Sequence, residues 1–148
     1  MRKENPVRYS SAVGESWQHC EFKIKYCHCI FDDEIYREGI RTLLLEAAYN
    51  YWIPIGEIGF DNNHVHFMAD IGLYSRPEVA KLLRGYTAKK FFEHFPEAKK
   101  KYFWDSGLWN PSYYIGSPKN VQNTINYIRK QKYGEARIRQ NSLLSYAS

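Results

Sequence analysis

Asp61-Asn62-Asn63-His64-Val65-His66-Phe67-Met68 joins a polar turn to an alternating run. Asp and Asn suit the tight backbone of a hairpin connection, and the alternation after them has the period of a β-strand. Successive strand side chains point to opposite faces, so His64 and His66 share one face while Val65 and Phe67 share the other. Val65, Phe67 and Ala69 would anchor this strand in a core. The two imidazoles are then held on a rigid element, their Cα atoms about 7 Å apart. Imidazole nitrogen binds zinc at about 2.0–2.1 Å, so one cation fits between two such rings. With five histidines in 148 residues a His-x-His pair also arises by chance, and two histidines on a solvated face need no function. Only a second element that supplies what the pair lacks gives it meaning.

Outward from this stretch the chain alternates strands and helices. Ile53 to Phe60 reads as the strand before the turn, with Pro54 near its start, so the turn closes a hairpin. Trp17 to Cys27 places Cys20, Phe22, Ile24 and Tyr26 on one face and Glu21, Lys23 and Lys25 on the other, a strand buried on one side. Asp32 caps a helix running to about Tyr51, with Ile40, Leu43, Leu44 and Ala47 as its apolar stripe. Ser75 and Glu78 have the spacing of a capping box for a helix reaching about Phe95. A short strand follows near Leu108 to Ile115, and Pro111 assigns it to a sheet edge.

The last patterned segment is Ser117-Pro118-Lys119-Asn120-Val121-Gln122-Asn123-Thr124-Ile125-Asn126-Tyr127-Ile128-Arg129-Lys130-Gln131. Ser117 reads as an N-cap with Pro118 at the first helical position. Val121, Ile125 and Ile128 recur as a buried stripe, while Asn120, Thr124, Tyr127 and Gln131 form a polar one. Tyr127 and Gln131 are one turn apart, roughly 40° around the axis, and project side by side. A phenol and an amide oxygen on one face can serve as a nucleophile and a neutral third metal ligand. Asp61 is a further candidate ligand. Tyr133, Tyr113 and Tyr114 do not share the Gln131 face.

The order β-α-β-β-α-β-α predicts an α+β fold: an antiparallel sheet of split β-α-β topology, ferredoxin-like or RRM-like. Helices one and two cover one face, and the other carries His64 and His66. All 148 residues fit one domain, with 1–15 and 134–148 as peripheral tails.

His64-Val65-His66, followed about sixty residues later by Asn126-Tyr127-Ile128-Arg129-Lys130-Gln131, resembles the HUH (His-hydrophobic-His) single-tyrosine transposases of the smallest insertion sequences, the IS200-like elements. The preceding strand, the polar turn and the segment Trp104-Asp105-Ser106-Gly107-Leu108-Trp109 match in the same order. The resemblance implies that His64, His66 and Gln131 hold Mg²⁺ or Mn²⁺ and that Tyr127, on a C-terminal catalytic helix, attacks single-stranded DNA bearing hairpin ends. It implies a 5′-phosphotyrosine link, a free 3′-hydroxyl, and a homodimer in which the tyrosine helix docks across the subunits.

Residue chemistry is compatible with that reading. A phenol has an ordinary pKa of about 10, so a phenolate at pH 7 costs about 4 kcal/mol. A cation polarising a phosphoryl oxygen contributes several kcal/mol toward that cost. The net charge of +5 favours a polyanion, and aromatic residues, 17% of the chain, offer stacking platforms for unpaired bases. The candidate DNA-binding cations are Arg84, Lys89, Lys90, Lys99, Lys100 and Lys101, beside Tyr102, Phe103 and Trp104. No apolar run reaches the length of a membrane span, and the N-terminus lacks the layout of a signal peptide, which makes the cytoplasm the expected compartment, and the resemblance implies a prokaryotic one. Cys20, Cys27 and Cys29 are an odd number crowded on one strand and read as buried thiols, not as a disulfide framework or a Cys27-His28-Cys29 metal site.

Two rival functions fit parts of the pattern. A non-catalytic single-stranded nucleic-acid-binding module of the same topology explains charge and aromatics. A His-x-His metal-dependent phosphohydrolase explains the histidines, but Met68 stands where its third histidine belongs.

Overall fold

The computed structural model describes residues 16–134. Of the two expected tails, 1–15 lies outside the described residues, as does 134–148 apart from Gly134. The elements are β1 (Trp17–Ile24), α1 (Glu34–Tyr51), β2 (Ile55–Phe60), β3 (His64–Asp70), α2 (Arg76–His94), α3 (Pro96–Tyr102), β4 (Trp109–Gly116) and α4 (Val121–Arg129). The strands form one antiparallel sheet in the order β2-β3-β1-β4. This is the expected α+β fold with split β-α-β topology. The short helix α3 was not expected, and Pro96 at its start restarts the helix immediately after α2.

The sheet is two-sided by alternation. Cys20, Phe22 and Ile24 of β1 and Val65, Phe67 and Ala69 of β3 are buried under α1 and α2 with Phe31, Leu44, Leu83 and Phe91. Trp109 closes the edge of this core, its indole N–H donating to Thr87 Oγ1 of α2 at 2.9 Å. Thr87 Oγ1 donates onward to the Leu83 carbonyl at 2.8 Å, so a hydroxyl in a helix interior finds both its partners.

Several boundaries differ from the sequence reading for local reasons. β1 stops at Ile24, because Tyr26 and Cys27 adopt positive φ and turn the chain. Tyr26 is therefore exposed, and Cys27 and Cys29 are exposed free thiols; only Cys20 is buried. α1 is capped by Asp33, whose carboxylate accepts from the Ile35 N–H, while Asp32 accepts from the Asn62 amide and the Tyr133 hydroxyl. The Ser75–Glu78 capping box of α2 is present, and β4 with Pro111 lies at the sheet edge. α4 begins later than expected: Asn120, not Ser117, is its cap, accepting from the Asn123 N–H. Ser117 instead joins Gln18 of β1 through its hydroxyl. Of the expected stripe only Ile128 is buried; Ile125 is half-buried and Val121 exposed.

Candidate active site

The turn before the histidines is held from three sides. The Asp61 N–H donates to the His64 carbonyl at 2.9 Å, and Asp61 Oδ1 accepts from the Asn62 N–H at 2.8 Å. Asn63 receives the Ile24 N–H on its carbonyl and donates its amide to the Cys27 carbonyl. β3 then leaves the turn with a fixed register, Lys23 opposite His64 and Glu21 opposite His66. Cross-strand partners share a face, so His19, Glu21 and Lys23 stand on the histidine side of the sheet.

The His64 and His66 rings lie nearly parallel, 20° apart in plane with centroids 6.1 Å apart. Glu21 faces both, Oε1 being 3.5 Å from His64 Nε2 and Oε2 3.8 Å from His66 Nδ1. His19 Nε2 lies 3.4 Å from His66 Nδ1. His66 is 4% exposed. Burial pushes its pKa down to about 4, Glu21 opposing and His19 and His64 adding to the shift. The His66 imidazole is therefore neutral at pH 7, the form that carries a lone pair for a cation.

Tyr127 reaches this face because α4 lies across β2 and β3. Gly59 of β2 is opposite His66, and a β-carbon there would meet the Ile128 carbonyl oxygen at 2.2 Å. The absent side chain is what lets the end of α4 sit against the sheet. Arg129 Nη2 clasps Glu57 Oε1 at 2.7 Å, and the Tyr133 N–H donates to the Phe60 carbonyl at 2.8 Å. Tyr133 thus serves as an anchor just beyond α4, its ring under the Arg37 guanidinium at 4.1 Å. The Tyr127 ring, half-exposed, stands edge-on to His66 with centroids 5.6 Å apart and to His19 at 6.0 Å. The Tyr127 and His66 rings that make this contact belong to one chain.

Gln131 is placed differently from the sequence reading. α4 ends at Arg129, and Gln131 lies in the following turn, its amide donating to the Tyr127 carbonyl at 3.2 Å. The chain doubles back at Gly134, where a β-carbon would meet the Arg129 carbonyl at 2.3 Å. Among the described residues no three His, Cys, Asp or Glu side chains gather as an ion-holding cluster. The donor set available to a cation is thus two imidazoles plus groups of another kind, and a neutral His66 fits that use.

The basic candidates do not gather on the histidine face. Arg84 donates from Nη1 to the Asn110 carbonyl at 2.8 Å and stacks over Tyr113 at 4.6 Å, which ties α2 to β4. Lys99 donates to the Phe103 and Ser106 carbonyls beyond α3. Lys90 pairs with Glu93 at 3.5 Å. Lys89, Lys100 and Lys101 are exposed on the helix layer. The cation beside the histidines is Lys23, which with Glu21, His64, Ser112 and Tyr114 lines a groove of about 390 Å³ between β1 and β4. Sequence reasoning missed His19 and the site role of Glu21. The signal was present in the alternation of β1, which puts both on the face opposite Cys20 and Phe22.

No helix among the described residues is long and apolar enough to cross a membrane. The crystal structure of a candidate transposase from Deinococcus radiodurans R1 superimposes with a TM-score of 0.61 at 23% identity, covering 80% of this chain and 91% of that one. The REP-associated tyrosine transposase, solved bound to a REP hairpin, superimposes with a TM-score of 0.52 at 12% identity, covering 79% and 64%. In sequence the chain is 29% identical over 114 residues to the ISDra2 transposase TnpA of Deinococcus radiodurans, covering 74% of this chain and 80% of that protein. Residues 12–131 match the family described as "Transposase IS200 like", so the chain belongs to the IS200-like transposase family.

Proposed function

We propose that this transposase cleaves and rejoins single-stranded DNA with Tyr127 as nucleophile, at a site whose cation is held by His64, His66 and the Gln131 amide. The observation that carries the reading is the edge-on contact of the Tyr127 and His66 rings, 5.6 Å between centroids. A bound Mg²⁺ or Mn²⁺ would supply Lewis-acid polarisation of the scissile phosphate. The Tyr127 oxygen forms a bond to phosphorus, the bond from phosphorus to the 3′-oxygen breaks, and the phenolic proton passes to that oxygen. A 5′-phosphotyrosine and a 3′-hydroxyl result, and a hydroxyl from another DNA end reverses the step on a new partner. The phosphodiester bond energy stays in the tyrosyl ester, so rejoining needs no nucleotide cofactor.

The groove over β1 and β4 is suited to an unpaired strand, with Lys23 for phosphate and the exposed Tyr114 ring for stacking. The DNA partner is a single strand with hairpin ends, the protein acts as a homodimer, and its compartment is the prokaryotic cytoplasm. The test is a labelled hairpin-bearing oligonucleotide with Mn²⁺ or Mg²⁺ on a denaturing gel. A slow-migrating protein–DNA adduct is expected for the wild type and none for Tyr127→Phe; equal adduct in both would falsify the assignment. A binding module without catalysis gives no adduct in either.

A further inference from the structure

We propose that Glu21, with His19 beside it, is a positioning residue that fixes His66 as the tautomer protonated on Nδ1, leaving an open lone pair on Nε2. The inference deepens the reading of His64 and His66 as cation ligands and rests on it. Glu21 is directly opposite His66 in the β1–β3 register, and its two oxygens divide between the histidines, 3.5 Å from His64 Nε2 and 3.8 Å from His66 Nδ1. An ionised carboxylate only accepts, so its charge favours an N–H aimed at it and disfavours a lone pair. His66 Nδ1 therefore carries the proton. His19 Nε2, 3.4 Å from the same atom, is satisfied as the acceptor of that N–H, which puts the His19 proton on its own Nδ1. The same carboxylate sets His64 the other way, with the proton on Nε2 and the lone pair on Nδ1. The two nearly parallel rings then offer one open nitrogen each, of opposite kinds. A carboxylate behind a ligating imidazole is a recurrent device for holding ring orientation and raising basicity.

The test uses long-range ¹H–¹⁵N correlation spectra of the metal-free full chain at neutral pH. The expected wild-type pattern is a protonated Nδ1 and an unprotonated Nε2 on His66; the reverse pattern overturns the proposal. In Glu21→Gln the amide can donate as well as accept, so His66 should become a mixture of tautomers and Mn²⁺ affinity, followed by electron paramagnetic resonance of free Mn²⁺, should fall about 10–100-fold. Unchanged tautomer or unchanged affinity overturns it. Glu21→Asp keeps an acceptor-only group and should keep the wild-type tautomer, which a merely space-filling role does not require. Both readouts are taken without DNA, so they stand even if Tyr127 proves not to be the nucleophile.

Discussion

Gly59 and the Ile128 carbonyl are packed so closely that a β-carbon on the glycine would lie 2.2 Å from that oxygen. The neighbour is backbone, which cannot rotate aside, so the end of α4 must shift if the position gains a methyl. Gly59→Ala should therefore lift the Tyr127 ring off His66 while the core on the opposite face stays intact. The cost is about 1–3 kcal/mol of strain. The expected results are loss of the Tyr127–His66 ring contact in NMR and at least a tenfold drop in adduct yield with the folded spectrum kept. Unchanged yield would mean that α4 is not held where this packing puts it.

Trp109 and Thr87 bind β4 to α2 through a buried hydrogen bond of 2.9 Å. Thr87→Val keeps the shape but strands the indole N–H, at about 1–3 kcal/mol. Thermal denaturation should show Tm lowered by several degrees, with strand cleavage below the transition unaffected because the bond lies on the helix side of the sheet. A variant as stable as wild type would show that the N–H finds another partner.

His66 makes stability depend on pH in a definite direction. Burial lowers its pKa from the ordinary 6.5 to about 4, so between these values the unfolded chain binds a proton that the native protein does not. Stability is then fully present above about pH 6.5 and declines as pH falls toward 4, by on the order of 3 kcal/mol from this one group. Urea denaturation at pH 7 and pH 4.5 measures the slope. His66→Asn should flatten it; a slope unaltered by that substitution would assign the acid sensitivity elsewhere.

What the sequence made legible was what alternation and helical spacing encode. The face shared by His64 and His66, the hairpin at Asp61–Asn63, the capping box at Ser75 and the edge strand with Pro111 all follow from period and turn chemistry. The start of α4 did not, because Ser117 and Asn120 are both good caps and only the tertiary bond from Ser117 to Gln18 decides between them. Gln131 lies in a turn and not on the helix for a similar reason. A helical extrapolation from Tyr127 ignores the reversal at Gly134, where Tyr133 is drawn onto Phe60 and Asp32. His19 and Glu21 were visible as a polar face but not as neighbours of the histidines, since the β1–β3 register is a long-range pairing.

Phosphate contacts make nucleic-acid affinity fall with salt. With Lys23 beside the groove, single-strand binding should weaken on going from 50 to 200 mM salt, and Lys23→Ala should shallow the slope by about one. Fluorescence anisotropy with a labelled oligonucleotide reads both. A flat profile would argue against a nucleic-acid partner.

In the proposed reaction the Tyr127 phenol and the two strand imidazoles act on one phosphate. Mass spectrometry of the nuclease-trimmed, protease-digested protein–DNA adduct tests it most directly. The expected result is a residual nucleotide on the peptide containing Tyr127 and none when His64 and His66 are both changed to alanine. A nucleotide mapped to Tyr113, Tyr114 or Tyr133 instead, or an adduct formed without the histidines, would contradict it.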